Sequence, residues 1–411
     1  MTPAPPDAAL LSVEEARARA LALLPTLPPE RVPLAEALGR CLAEDVVATR
    51  TLPPWDNSAM DGYAVASSAL QAPFPVRLRV VETLYAGQRA QRTPGPGECT
   101  RLMTGAPLPP GTDAVVMQER VAVEPDGTVL FDAPAPAGQF VRSASEDARA
   151  GELLLARGTP LGLPELGLLL AQGRTEASVP RRPRVAILST GDELCRADEP
   201  PGERIVDTNG PLLALAVARA GGLPTLLGIA RDTLEDVERG LSEAEGYDVV
   251  LTSAGVSVGA HDHVRAALER RGVQMGFWRV AVKPGKPLAV GRKGASVYFG
   301  LPGNPTSSLV SFELFVRPAL RRLLGFEAVE PVPVAGRLRG ALKKPAGLAH
   351  YVRVQATWRD GALWASPLHT QTSGALRSSS AATHLLHFPR EATGLAEGAP
   401  VELLPLSWTA G

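Results

Sequence analysis

The sequence predicts a multidomain α/β plus β protein. At its centre is a doubly wound, mainly parallel sheet domain, accompanied by an inserted β module, an N-terminal helical linker region and a C-terminal β domain. Between residues 183 and 325, apolar strand-like runs alternate with helical ones, the pattern of a parallel sheet covered on both faces. In 51–139 and again after 325, short β-type runs are divided by Pro/Gly turns instead. The 411 residues allow two to four domains at roughly 100–200 residues each.

Composition bounds the function. Apolar residues make up 45% and charged residues 21%, enough for a sizeable core. The net charge of −1 disfavours a generally basic nucleic-acid binder. Cys41, Cys99 and Cys195 are far apart with no CxxC pair, so neither a disulfide framework nor a cysteine zinc site is indicated. The N-terminus lacks a basic start followed by an apolar run, and the longest apolar runs, 166–171 and 212–218, are too short to span a bilayer. The expectation is a soluble cytoplasmic protein with no membrane or nucleic-acid partner.

Along the chain, residues 12–24 have helical spacing, with Val13, Ala16, Ala20, Leu23 and Leu24 on one face and Ser12 with Glu15 as a capping box. A short helix follows at 34–42, and Pro53-Pro54 breaks the pattern. Strand-like runs at 76–81, 114–118 and 128–131 mark the β module. A helix at 164–172 packs back on the N-terminal helices, which makes that module an insertion. The central region reads as strands at 185–189, 225–229, 248–252 and 296–299. Helices at 210–220, 233–244, 263–271 and 306–324 lie between and after them. Runs at 332–337, 351–356, 363–366 and 400–403 form the C-terminal β domain. The domain division is thus 1–50 with 140–176, 51–139, 177–327 and 328–411.

Three predicted strand ends carry one grammar: Ser189-Thr-Gly191-Asp-Glu193, Thr252-Ser-Ala-Gly-Val-Ser257-Val-Gly259, and Gly300-Leu-Pro302-Gly303-Asn304-Pro-Thr-Ser307. Glycine lets backbone N–H groups approach a ligand, hydroxyls add donors, and a following helix N-terminus favours an anion. An ordinary β–α loop explains any one of them, but three at the carboxyl edge of one sheet mark a ligand site. There is no GxGxxG and no Walker-type loop.

Only five lysines occur, and two lie in Lys283-Pro-Gly-Lys286-Pro287, with Arg279 nearby. That loop reads equally as an oxyanion clamp or as a solvated basic turn. Acidic residues at the same loop ends, Glu193, Asp207, Asp232 and Asp262, would need a metal beside a phosphate. Mg²⁺ suits because it takes oxygen ligands and keeps waters. Capping is a sufficient explanation for Asp207 and Asp262. The six histidines show no metal-ligand pairing, and no GxSxG elbow marks a nucleophile.

Asp56-Asn-Ser-Ala-Met-Asp61-Gly-Tyr-Ala-Val65, Met103-Thr104-Gly-Ala-Pro107, Ser189-Thr-Gly-Asp-Glu-Leu194, Asp207-Thr-Asn209, Gly255-Val-Ser-Val-Gly259, Lys283-Pro-Gly-Lys-Pro287 and Leu301-Pro-Gly-Asn-Pro305 stand in order along the chain. As an ordered set they resemble the molybdopterin molybdenumtransferase family, the bacterial MoeA proteins, similar to the E domain of gephyrin-type proteins. The resemblance makes the central domain one of the molybdopterin-binding type. It implies a four-domain homodimer that inserts molybdate into adenylylated molybdopterin with Mg²⁺-dependent release of AMP. The site would lie in a cleft between the α/β domain of one subunit and the β module of the other. The resemblance also implies hand-over partners, the adenylyltransferase and recipient molybdoenzymes.

By motif position, Asp61, Thr104 and Asp147 match family site residues of the β module and its return segment. Glu193, Asp232, Asp262, Arg279, Lys283 and Lys286 match those of the α/β domain. Ser307, Arg353, Ser373 and Ser378 match positions tied to the oxyanion. The roles expected are charge neutralisation by Lys283, Lys286 and Arg353, and hydrogen bonding by Ser307 with Pro302, Gly303 and Asn304. Mg²⁺ would sit near Glu193 and Asp262, with Asp61 and Asp232 positioning substrate or metal. Two positions depart from the family pattern. Ala254 stands for the first of two glycines, where its methyl narrows the backbone approach, and Ser145 stands for the glycine of Arg-x-x-Gly-Glu-Asp. Molybdopterin adenylyltransferase and a gephyrin-like scaffold are the alternatives. The large β module and C-terminal domain weigh against the first, and the absence of a long linker against the second.

Overall fold

The computed structural model describes residues 10–255 and 263–408. The chain divides into two compact units. The larger holds the chain through Val32, residues 40–43 and everything from Ser178 onward; the smaller holds Pro33–Gly39 and Glu44–Ala177.

In the larger unit, helix α1 (Val13–Ala22) begins with the expected capping box. Glu15 N donates to Ser12 Oγ at 3.1 Å and Ser12 N to Glu15 Oε2 at 2.8 Å. Next come β1 (Arg184–Thr190), α2 (Asn209–Arg219), β2 (Leu223–Ala230), α3 (Leu234–Glu243), β3 (Val249–Ser253), α4 (His263–Arg270), β4 (Gln274–Arg279), β5 (Pro287–Lys293) and β6 (Ser296–Leu301). The sheet order is β2-β1-β3-β6-β5-β4. The first four strands are parallel, and β5 runs antiparallel between β6 and β4. Alternation along β1 explains the double winding. Val185 and Ile187 pack in one core with Leu213 and Val217 of α2, whereas Ala186 and Leu188 pack in another with Val237 and Leu241 of α3.

The antiparallel pair β4–β5 was not anticipated. Pro287 belongs to the loop read at 283–287, and Gly291 permits the pairing, since a Cβ there would lie 2.9 Å from the Gln274 carbonyl oxygen. The long helix expected at 306–324 is instead α5 (Pro305–Ser311), a π-helical turn (Phe312–Val316) and α6 (Arg317–Leu323). Pro318 cannot donate to the preceding turn and its ring crowds it, and the helix widens just before it.

The C-terminal part of this unit comprises β7 (Val334–Leu338), β8 (Ala349–Arg359), β9 (Ala362–Pro367), α7 (Leu376–Ala381), β10 (His384–Phe388) and β11 (Pro400–Pro405). Its five strands pair in the order β8-β9-β7-β11-β10, and β10 pairs back to β8. Closure leaves no free edge within that ring. The two-residue strand Val282–Lys283 joins β8 in parallel.

The smaller unit is built on a six-stranded sheet in the order Ala114–Met117, Gly62–Val65, Glu98–Leu102, Val76–Leu84, Thr128–Phe131, Val121–Val123. Strands Gly62–Val65 and Glu98–Leu102 were not anticipated. Gly62 allows close approach, because any side chain there would overlap the Val116 carbonyl. The core includes Tyr63, Leu78, Val129 and Phe131, with the Tyr63 and Phe131 rings edge to face at 6.2 Å. The short helix expected at 34–42 is a single turn, Leu34–Ala37, and a helix covers Leu163–Ala171. No described helix is long and apolar enough to cross a membrane.

Candidate active site

The carboxyl ends of β1, β3 and β6 meet around a cavity of about 480 Å³. Glu193 from the loop after β1, Ser253 to Gly255 after β3, and Pro302, Gly303, Asn304 and Ser307 after β6 line it, together with Asn209 at the start of α2. Asn209 braces the floor: its Nδ2 donates to Ser253 Oγ and to the Gly303 carbonyl, each at 2.7 Å. Asp207 is committed to the same turn, accepting from Ser189 Oγ at 2.6 Å, Asn209 N at 3.0 Å and Gly210 N at 3.1 Å. The capping reading of Asp207 therefore suffices. Glu193 is the carboxylate of the cavity wall that remains exposed and makes no side-chain hydrogen bond or ion pair among the described residues.

The backbone explains the glycines. Gly191 has φ +149°, and a Cβ there would meet the Glu193 carboxylate at 2.6 Å. After β3 the chain turns through Ala254 at φ +78° and Gly255 at φ +71°. The methyl of Ala254 thus occupies backbone that favours glycine. The Lys283-Pro-Gly-Lys-Pro287 loop folds down on α5: Gly285 has φ +108°, and a Cβ on it would lie 2.7 Å from Ser311 Oγ. Pro287 reaches the cavity wall, while Lys283 and Lys286 stay outside it and exposed.

Not every expected residue joins the cavity. Gly191, Glu193 and Ser307 lie at or in its wall with the Pro302-Gly303-Asn304 loop. Asp232 is exposed in the loop after β2, where its N donates to Asp192 Oδ1 at 3.2 Å, and Arg279 is exposed at the end of β4. Ser257 and Asp262 lie outside the described residues. Arg353, expected to neutralise an oxyanion directly, is 1% exposed and already bonded. Its Nη2 donates to the carbonyls of Thr370 at 2.9 Å and Thr372 at 3.0 Å, and its Nε donates to Ser378 Oγ at 3.2 Å. Ser378 Oγ donates in turn to the Thr370 carbonyl at 2.6 Å, and the Ser373 carbonyl accepts from Thr306 N at 3.0 Å at the head of α5. These residues hold a loop against α5. Burial accounts for the arrangement, because a guanidinium sealed from water needs carbonyl partners.

In the smaller unit, Thr104 N and Oγ1 both donate to Asp61 Oδ1 at 2.7 Å. The backbone N–H and then the hydroxyl hold the Asp61 carboxyl below the usual carboxylate range. Asp147 is exposed, and its N donates to the Leu52 carbonyl at 3.0 Å. Asn209, Thr190 and Thr208 of the cavity wall were not singled out as site residues. The Asp207-Thr-Asn209 motif was the available signal.

Comparison with known proteins decides the family. The MoeA N-terminal region (domain I and II) matches residues 11–173, a probable molybdopterin binding domain matches 186–322, and the MoeA C-terminal region (domain IV) matches 335–406. A molybdopterin molybdenumtransferase of Nostoc sp. is 41% identical over 333 residues, 79% of this chain and 76% of the relative. This chain belongs to the molybdopterin molybdenumtransferase family. A molybdopterin molybdenumtransferase of Synechococcus elongatus is 37% identical, covering 92% of this chain and 94% of the relative. The crystal structure of a molybdopterin biosynthesis MoeA protein from Pyrococcus horikoshii matches with a TM-score of 0.82 and 32% identity. That match covers 97% of this chain and 99% of the other. The protein is accordingly an enzyme of molybdenum cofactor biosynthesis, and the expected α/β plus β multidomain fold is that of the molybdenumtransferase family. Matches to both flanking MoeA regions disfavour the adenylyltransferase alternative.

Proposed function

We propose that the cavity at the ends of β1, β3 and β6 binds adenylylated molybdopterin, and that molybdate is inserted there with release of AMP. The single observation that carries this is the convergence of three glycine- and hydroxyl-bearing strand ends on one cavity whose wall Pro287, at the end of the two-lysine loop, also reaches. The N-terminus of α5, carried on Asn304-Pro305, favours a phosphate, and Ser307 adds a donor. Lys283 and Lys286 neutralise the molybdate dianion at the rim. Arg353 acts through the 370–378 loop that it pins. Asp61, held by Thr104, and Asp232 position the substrate.

Oxygen donors are what Mg²⁺ takes, and the uncommitted Glu193 carboxylate fits it; Asp262 is its proposed companion. Bound there, Mg²⁺ supplies charge neutralisation to the substrate's phosphates. Positioning and preorganised charge carry the reaction, and no protein nucleophile is required. We place the enzyme in the cytoplasm as a homodimer, receiving its substrate from an adenylyltransferase and passing product to molybdoenzymes. The decisive experiment is molybdate saturation of Lys283→Ala. The KM for molybdate should rise about tenfold or more with the fold intact. An unchanged saturation curve would remove the clamp.

A further inference from the structure

Lys283, His350 and Phe388 lie side by side across three adjacent strands. Lys283 is the parallel register partner of His350 on β8, and His350 is the antiparallel partner of Phe388 on β10. Register partners place their side chains on one sheet face. Val352 and Val354, which alternate with His350 along β8, share a core with Phe388 and fix which face it is. Lys344 completes the row. Its ammonium lies 4.7 Å from the Phe388 ring centre and donates to the Arg390 carbonyl at 3.2 Å. Arg353, three positions along β8, falls on the opposite face, where the 370–378 loop occupies it.

Charge in this row is one-sided. Among the described residues neither Lys283 nor Lys344 forms an ion pair with a carboxylate, and His350 makes no side-chain hydrogen bond. Glu391 is the acid whose charge reaches Lys344. Burial first, and then Lys283, Lys344 and Arg353, push the half-buried His350 imidazole down to about 4. Two ammonium groups beside a half-buried imidazole, neither of them ion-paired with a carboxylate among the described residues, make a setting that an anion would stabilise.

We propose that Lys283, His350 and Lys344 form an oxyanion subsite that takes one tetrahedral dianion of the sulfate or phosphate type. The subsite goes beyond the insertion reading and shares only Lys283 with it. A bound dianion reverses the field at His350, so the imidazole takes up a proton as the anion binds, and affinity rises as pH falls below neutrality.

Titration of the full-length protein with sodium sulfate by calorimetry at pH 5.5 and 7.5 tests this, since sulfate keeps its double charge throughout. Sulfate should bind more tightly at the lower pH. Lys344→Met should weaken it about tenfold, and His350→Gln should abolish the difference between the two pH values. Near-ultraviolet circular dichroism of both variants checks that they are folded. Competition separates the sources: displacement by AMP marks a substrate phosphate, and displacement by molybdate alone marks a free oxyanion. The subsite is overturned by no sulfate binding in the wild type, or by equal binding in wild type, Lys344→Met and His350→Gln. Lys286→Ala, tested on molybdate saturation, belongs to the insertion reading alone and keeps the two failures apart.

Discussion

Ala254 and Gly303 face each other across the floor of the cavity, so close that a Cβ at Gly303 would stand 3.0 Å from the Cβ of Ala254. Ala254 itself sits at φ +78°. Left-handed backbone costs a non-glycine residue about 1–2 kcal/mol, and the extra unfolded-state freedom of glycine offsets about 0.5–1 of that. Ala254→Gly should therefore be neutral to about 1.5 kcal/mol stabilising. Gly303→Ala should destabilise the wild type by about 1 kcal/mol or more, and by less in the Ala254→Gly background. Urea unfolding of all four proteins measures the coupling, and strictly additive effects would refute the contact.

The Asp61–Thr104 corner gives a second expectation. Thr104→Val keeps the backbone N–H to Asp61 but removes the hydroxyl donor. The Asp61 carboxyl should then titrate at higher pH than in the wild type, closer to an ordinary aspartate. Carbon-detected NMR titration of the Asp61 carboxyl measures this directly. Identical titration curves would show that the hydroxyl contributes nothing.

Removal of Arg353 should be felt in folding. Arg353→Ala removes the donors to the Thr370 and Thr372 carbonyls and to Ser378 Oγ, although the Thr370 carbonyl keeps the Ser378 hydroxyl. Hydrogen bonds to a charged group contribute about 1.5–3 kcal/mol each, and water replaces part of them at the exposed Thr370 and Thr372, so a loss of about 3 kcal/mol is expected in urea. Arg353→Lys should recover only part of it, because an ammonium cannot reproduce the planar fork. A variant of wild-type stability that no longer saturates with molybdate would reassign Arg353 to direct anion contact.

Two histidines set an acid limit. Burial, then the cationic neighbours, lowers His350 to about 4 from 6.5, and burial lowers His384 as well. Between those values the unfolded chain holds a proton that the native His350 refuses, so stability rises with pH across about 4 to 6.5 and levels off above. His350→Gln should flatten that rise in urea midpoints taken from pH 4.5 to 7.5. An unchanged slope would place the acid sensitivity elsewhere.

The reading of Ala254 and Ser145 shows how far a sequence reaches. Both stand where the family pattern has glycine, and both adopt left-handed backbone, φ +78° and φ +63°. Neither turn needs glycine to form here, and hydrogen bonds such as Ser145 N to the Pro53 carbonyl help to hold the second. The resemblance therefore pointed to left-handed backbone at both positions although neither carries glycine.

Apolar periodicity, Pro/Gly punctuation and capping residues by themselves determined the alternation of β1 to β3 with α2 to α4 and the strand-end loops, and the ordered set of motifs carried the resemblance to the family. These are local properties, written in neighbouring residues. Tertiary structure decided the β4–β5 antiparallel pair, closure of the C-terminal ring and the bracing of the cavity floor by Asn209. It also turned Arg353 inward and aligned Lys283 with His350 and Phe388. Each of these rests on contacts between residues far apart in the chain, such as Arg353 with Thr370 or Asn209 with Gly303, whose free energy exists only once the intervening segments have packed.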